Sequence, residues 1–111
     1  MTCFANPLRF GLPMLLAAAA LQWLALPAQA NEALAQKNNC LGCHAVATKL
    51  VGPAYKDVAA KYAGQAEAQS KVMESIRNGS AGKWGEVPMP PHPKIADADL
   101  KKLAIWVLSA K

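Results

Sequence analysis

Apolar positions are spread unevenly along the chain, and the unevenness is the first structural signal. Over residues 1–30, 21 of 30 positions are Ala, Val, Ile, Leu, Met, Phe, Trp, Tyr or Cys; over residues 31–111 the figure is 38 of 81. In the first stretch Arg9 is the only charge, an apolar run of 13 residues occupies 14–26, and Pro27-Ala28-Gln29-Ala30 follows. A basic start, a short apolar run and an Ala-x-Ala ending predict a secretory signal peptide cleaved after Ala30. The run is shorter than the roughly 20 residues that span a bilayer, and no cationic stop-transfer cluster follows it. The expected organisation is a leader over 1–30 and one domain over 31–111, with no membrane attachment after cleavage.

Within 31–111 the polar and apolar positions alternate with helical periods. Residues 31–41 read as a helix with Leu34 and Leu41 seven apart. Residues 54–63 place Tyr55, Val58, Ala59 and Tyr62 at three- and four-residue steps. Residues 65–78 turn Val72, Met73 and Ile76 inward and end at Gly79, a natural C-cap. From Asp97, read as an N-cap, a helix runs to Ala110 with Leu100, Leu103, Ala104 and Val107 on one stripe and Trp106 beside it. Gly52-Pro53 stops any earlier helix, and residues 80–93, with Pro88, Pro90, Pro91 and Pro93, cannot be regular structure. No strand shows convincing alternation. The pattern predicts an all-α domain of four short helices and one long loop, and a loop of that length in so small a domain needs a functional reason.

Composition sharpens this picture. Of the 38 apolar residues in 31–111, fifteen are alanine and two are Cys40 and Cys43, which leaves 21 larger side chains, none of them phenylalanine. A domain of this size normally needs a disulfide, metal or cofactor to complete its core. Without the leader the balance is eleven Lys and Arg against seven Asp and Glu, a net charge of +4. The lysines are dispersed among acids, which argues against nucleic acid. Lys37, Lys49, Lys56, Lys61, Lys83 and Lys94 are candidates for a ring that steers acidic partners.

Cys40-Leu41-Gly42-Cys43-His44 has the form C-x-x-C-H, the attachment motif for c-type haem. On a helical turn positions i, i+3 and i+4 share one face, so both sulfurs reach the two vinyl groups while the imidazole meets the iron. A redox C-x-x-C would sit near a βαβ pattern, which is missing; zinc would need about four ligands, and the domain offers beyond these three only the remote His92. A disulfide would leave His44 without a role. The sixth iron ligand decides the function. Met73 reads as core, whereas Met89 lies in Pro88-Met89-Pro90-Pro91, where fixed proline φ angles stiffen the segment that presents its thioether. His92, between two prolines, competes for the role but reads as an exposed histidine. The expected set is Cys40 and Cys43 for covalent attachment, with His44 and Met89 on the iron.

The stretch KLVGPAYKDVAAKYAGQ at 49–65, with Arg77-Asn78-Gly79-Ser80, Trp84-Gly85, Pro88-Met89-Pro90-Pro91 and Trp106-Val107-Leu108-Ser109, closely resembles the small bacterial class I cytochromes c of the cytochrome c-551 type. The likeness covers essentially all of 31–111 and carries its two motifs in order and at the expected separation. It implies a class I cytochrome c fold, four short helices around one covalently bound haem c, with His44/Met89 ligation of the iron. It also implies that the Pro53 carbonyl accepts a hydrogen bond from His44 and that the Trp84 indole points at a haem propionate. Two positions depart from the pattern: His92 stands where close relatives carry an amide, and Ser75 where a relative can carry a basic residue.

The implied function is a periplasmic, monomeric one-electron carrier and not an enzyme. The implied partners are redox proteins: a quinol-oxidising complex upstream, and a nitrite reductase, terminal oxidase or peroxidase downstream. Leu50, Val51, Ile76, Val87, Ile95 and Leu103 are the expected apolar walls of the haem site. The rival reading is a haem enzyme or gas sensor with an open sixth position, for which Glu86 and His92 are the only local acid–base candidates.

Overall fold

The computed structural model describes residues 26–111, so the expected leader over 1–30 lies largely outside the described residues. Regular structure there consists of α1 (Leu26–Lys37), α2 (Tyr55–Tyr62), α3 (Ala68–Asn78) and α4 (Asp97–Leu108), with a 3₁₀ turn at Cys40–Gly42. The architecture is all-α, and extended backbone pairs in one isolated antiparallel bridge, Ser80 with Met89.

Helix α4 is the hub: α1, α2 and α3 each pack on it. Its stripe explains this. Leu100, Leu103, Ala104 and Val107 recur at i, i+3, i+4 and i+7 and are all buried, Leu100 and Leu103 almost completely. Burying a leucine side chain stabilises by about 1.5–3 kcal/mol. Around this stripe Tyr55, Val58 and Tyr62 of α2 and Val72 and Ile76 of α3 complete the core. Ala35 of α1 and Ala104 of α4, both fully buried, keep bulk low where these helices share the core.

Three element boundaries differ from the sequence pattern, each for a local reason. Helix α1 is already formed at residue 31 and stops at Lys37, not 41, where the Asn38 side-chain amide donates to the Leu34 carbonyl (2.8 Å) and Asn39 turns left-handed at φ 60°. Helix α3 starts at Ala68, not 65, because residues 65–68 form a turn closed by Ala68 N–H to Gln65 O (3.2 Å). Asp97 is not the N-cap of α4. Ala96 occupies that position, and the Asp97 carboxylate pairs with the Arg77 guanidinium of α3.

Candidate functional site

A cleft of about 360 Å³ opens between the segment 39–55, helices α2 to α4 and the loop 80–92. It is the centre that the chain's own apolar residues do not fill. Tyr55, Val58, Tyr62, Val72, Ile76, Leu103 and Val107 line its floor. Of the expected walls, Val51, Ile76, Val87 and Leu103 border it; Leu50 and Ile95 do not. Leu50 is half exposed, and Ile95 packs against the core from outside.

The motif residues form one wall. Cys40 opens the 3₁₀ turn, and the N–H groups of Cys43 (3.2 Å) and His44 (3.0 Å) both donate to its carbonyl. This helical turn carries Cys40, Cys43 and His44 to the same cleft. Both cysteines are free thiols rather than a disulfide. Burial pushes the Cys40 thiol up from its ordinary value of 9.0, partly offset by a main-chain hydrogen bond.

His44 is fixed from three directions. Its Nδ1 lies 2.8 Å from the Pro53 carbonyl oxygen. A carbonyl only accepts, so Nδ1–H donates to it, which in the neutral ring leaves the lone pair on Nε2. The ring stacks on Tyr55, centroids 5.1 Å apart at 19°, and Tyr55 meets Trp106 edge-on at 5.3 Å. Gly52 approaches the third side so closely that a Cβ there would lie 2.8 Å from Nδ1 and 3.0 Å from Nε2, with a worse clash at Cε1. The Gly52 N–H in turn donates to the Cys43 carbonyl (2.7 Å), tying the wall to the motif. Buried Tyr55 has its phenol pushed well up from 10.0, mainly by burial and secondarily by the two nearby cysteine sulfurs.

The loop 80–92 forms the other wall, with Met89 on it. Ser80 and Met89 exchange both main-chain hydrogen bonds (3.1 and 2.8 Å), and His92 N–H donates to Ile76 O (2.9 Å). Gly79, at φ 75°, permits the reversal; a Cβ there would come 2.6 Å from the Met89 carbonyl oxygen. Met73 lies away from the cleft, on the outer surface between α3 and α4. His92 is half-buried against the cleft, not exposed as its proline neighbours suggested.

Polar groups gather at the mouth. Of the six lysines considered for a ring, Lys49 and Lys83 border the cleft. Lys61 lies over the Trp84 ring, 4.4 Å from its centroid, and donates to the Lys83 carbonyl (3.4 Å). Lys83 donates to Ser75 (3.2 Å), bringing a cation to the position where Ser75 lacks one. The sequence pattern held no sign of this lysine–tryptophan stack, because its partners lie on different elements.

The donor set suits haem c. Two unpaired thiols and an imidazole with a free Nε2 stand on one wall, a thioether is on the loop opposite, and an apolar floor lies between.

Comparison with known proteins agrees with this fit. The family pattern described as Cytochrome c matches residues 28–111. Cytochrome c-552 of Nitrosomonas europaea is 54% identical over 84 residues, spanning 76% of this chain and 82% of that protein. Cytochrome c-551 of Pseudomonas aeruginosa is 52% identical over 84 residues, 76% of this chain and 80% of the other. The crystal structure of wild-type Nitrosomonas europaea cytochrome c552 aligns with a TM-score of 0.70 at 52% identity, covering 72% of this chain and 99% of that one.

Proposed function

The chain belongs to the cytochrome c family, as a small class I member carrying one covalently attached haem c, and on that premise we propose that it is an exported one-electron carrier with His44 and Met89 on the iron. The haem supplies a one-electron iron couple and a conjugated edge through which an electron leaves. Everything else falls to the chain. Cys40 and Cys43 anchor the group through two thioethers. His44 offers Nε2, its tautomer and ring plane held by Pro53, Tyr55 and Gly52. Met89 offers a thioether from a loop whose backbone is already ordered, so ligation costs little further entropy and the pair needs little rearrangement between oxidation states. Methionine with histidine raises the potential relative to two histidines. The apolar floor excludes water and disfavours the more positive ferric state.

The observation that carries this reading is the reciprocal Ser80–Met89 hydrogen-bond pair, which holds Met89 at the cleft that His44 also lines. A closed sixth position makes a carrier, whereas an oxygen-using enzyme or gas sensor needs an open one. The ferric spectrum of the holoprotein tests the proposal: a weak near-infrared sulfur-to-iron band is expected in wild type and lost in Met89→Ala. A high-spin wild type that readily binds added ligands would overturn it.

The leader over 1–30 supports export to the periplasm and a mature, monomeric domain over 31–111. No described helix is long and apolar enough to cross a membrane. The partners are redox proteins. Lys49, Lys61 and Lys83 at the cleft mouth favour an acidic docking face on them, with association slowing as salt rises. A quinol-oxidising complex as donor, and a nitrite reductase, terminal oxidase or peroxidase as acceptor, fit that role.

A further inference from the structure

We propose that His92 is a standby ligand for the haem iron, taking the distal position when the Met89 sulfur leaves it. This rests on the His44/Met89 reading and extends it.

Three observations converge. The first is placement: His92 lines the same cleft as Met89, half-buried, three residues further along the same wall. The second is anchorage. Met89 is held through its main chain by Ser80, and His92 through its main chain by the Ile76 carbonyl at the end of α3 (2.9 Å). These anchors are independent and neither uses a side chain. Losing the Met89 thioether therefore leaves both backbone positions in place, and the imidazole stays at the cleft. The third is chemical inventory. Among the described residues no side-chain hydrogen bond engages the His92 ring, so no partner has to be broken before it turns inward. Its competitors on that side are weaker donors. Lys83 and Lys49 carry ammonium groups, which are donors without a lone pair, and Lys83 is engaged with Ser75 (3.2 Å). Glu86 is exposed and offers only a hard oxygen. A neutral imidazole, by contrast, is a strong iron ligand.

The exchange would need no electron: with haem bound, the His92 nitrogen would take the place that the Met89 sulfur gives up. Its consequence is that losing Met89 ligation yields a bis-histidine carrier at lower potential. The iron is then not left open to oxygen or peroxide.

The test compares ferric holoproteins of wild type, Met89→Ala and Met89→Ala/His92→Asn by optical absorption and electron paramagnetic resonance. A low-spin, two-nitrogen spectrum is expected for Met89→Ala and a high-spin one for the double variant. Because a tethered ligand competes at millimolar effective concentration, added imidazole should bind Met89→Ala at least about tenfold more weakly than the double variant. A high-spin Met89→Ala overturns the proposal, and so does a low-spin state that survives in the double variant. If far-UV circular dichroism finds Met89→Ala unfolded, Met89→Leu, which keeps the side-chain bulk, gives the same comparison. A wild type without the near-infrared sulfur band would instead remove the ligation reading itself, independently of what His92 does in the variants.

Discussion

The two walls of the cleft are built on different principles. On the motif side the structure fixes a side chain: His44 is hydrogen-bonded through Nδ1 to Pro53, stacked on buried Tyr55 and backed by Gly52. On the loop side it fixes a backbone. Main-chain bonds to Ser80 and Ile76 hold Met89 and His92, while Gly85, Val87, Pro88 and Pro90 around them are exposed. On the proposed ligation, the first wall specifies one ligand and one orientation. The second would specify where a ligand stands and leave its identity to whichever side chain is there. A carrier can therefore tolerate change on the loop side that would destroy the motif side.

Substitutions can break or sharpen this contrast, beginning with the largest effect. Replacing both Cys40 and Cys43 by serine should abolish haem that survives denaturation and leave a chain without its central apolar group. Folded helix content should then be lost altogether, since domain stabilities are only about 5–15 kcal/mol; haem staining of a denaturing gel and circular dichroism check this. Next come the paired glycines. Gly52→Ala should drive a methyl into the His44 ring, and Gly79→Ala should strain a φ of 75° and push the Met89 carbonyl. Each should cost about 2–3 kcal/mol in chemical unfolding. Their spectra should differ: Gly79→Ala weakens the near-infrared sulfur band while sparing attachment, and Gly52→Ala perturbs the histidine side. Equal spectral damage from both would erase the distinction between the walls.

Tyr55 supplies a smaller, pH-dependent effect. Its folded-state pKa is raised above the ordinary 10.0, mainly by burial, so the neutral phenol is favoured in the fold. That contribution is fully present below pH 10 and is lost as pH rises above it, because the unfolded chain then releases the proton first. Tyr55→Phe should accordingly flatten the alkaline limb of stability measured by denaturant titration above pH 10. The smallest effect belongs far from both walls. Arg77 and Asp97 form a pair in which Asp97 is 83% exposed, so Arg77→Ala should cost under about 1 kcal/mol and less at high salt.

The motif wall was legible because its chemistry is local. Cys40, Cys43 and His44 lie within one helical turn, and Pro53 nine residues on is fixed by the Gly52–Cys43 hydrogen bond. The stripe on α4 was legible too, since helical periodicity is strong there. What escaped notice depended on partners distant in sequence. Asp97 looked like a cap, but Arg77 twenty residues earlier claims its carboxylate. His92 looked exposed between two prolines, yet a main-chain hydrogen bond to Ile76 holds it half-buried at the cleft. Leu50 and Ile95 are apolar residues that no period could assign to a wall. The Lys61–Trp84 stack joins α2 to the loop and has no sequence signature.

The hub position of α4 makes closure of the domain depend on one element. Helices α1, α2 and α3 each find their main helical partner in the segment Asp97–Leu108. Before that segment docks, Ala35, Tyr55 and Val72 lack the stripe they close against, and the stretch bearing Cys40 and Cys43 is open. The burial that pushes the Cys40 thiol up arrives only with docking. The thiols are thus most accessible to a cofactor before α4 docks, and its docking shuts that window.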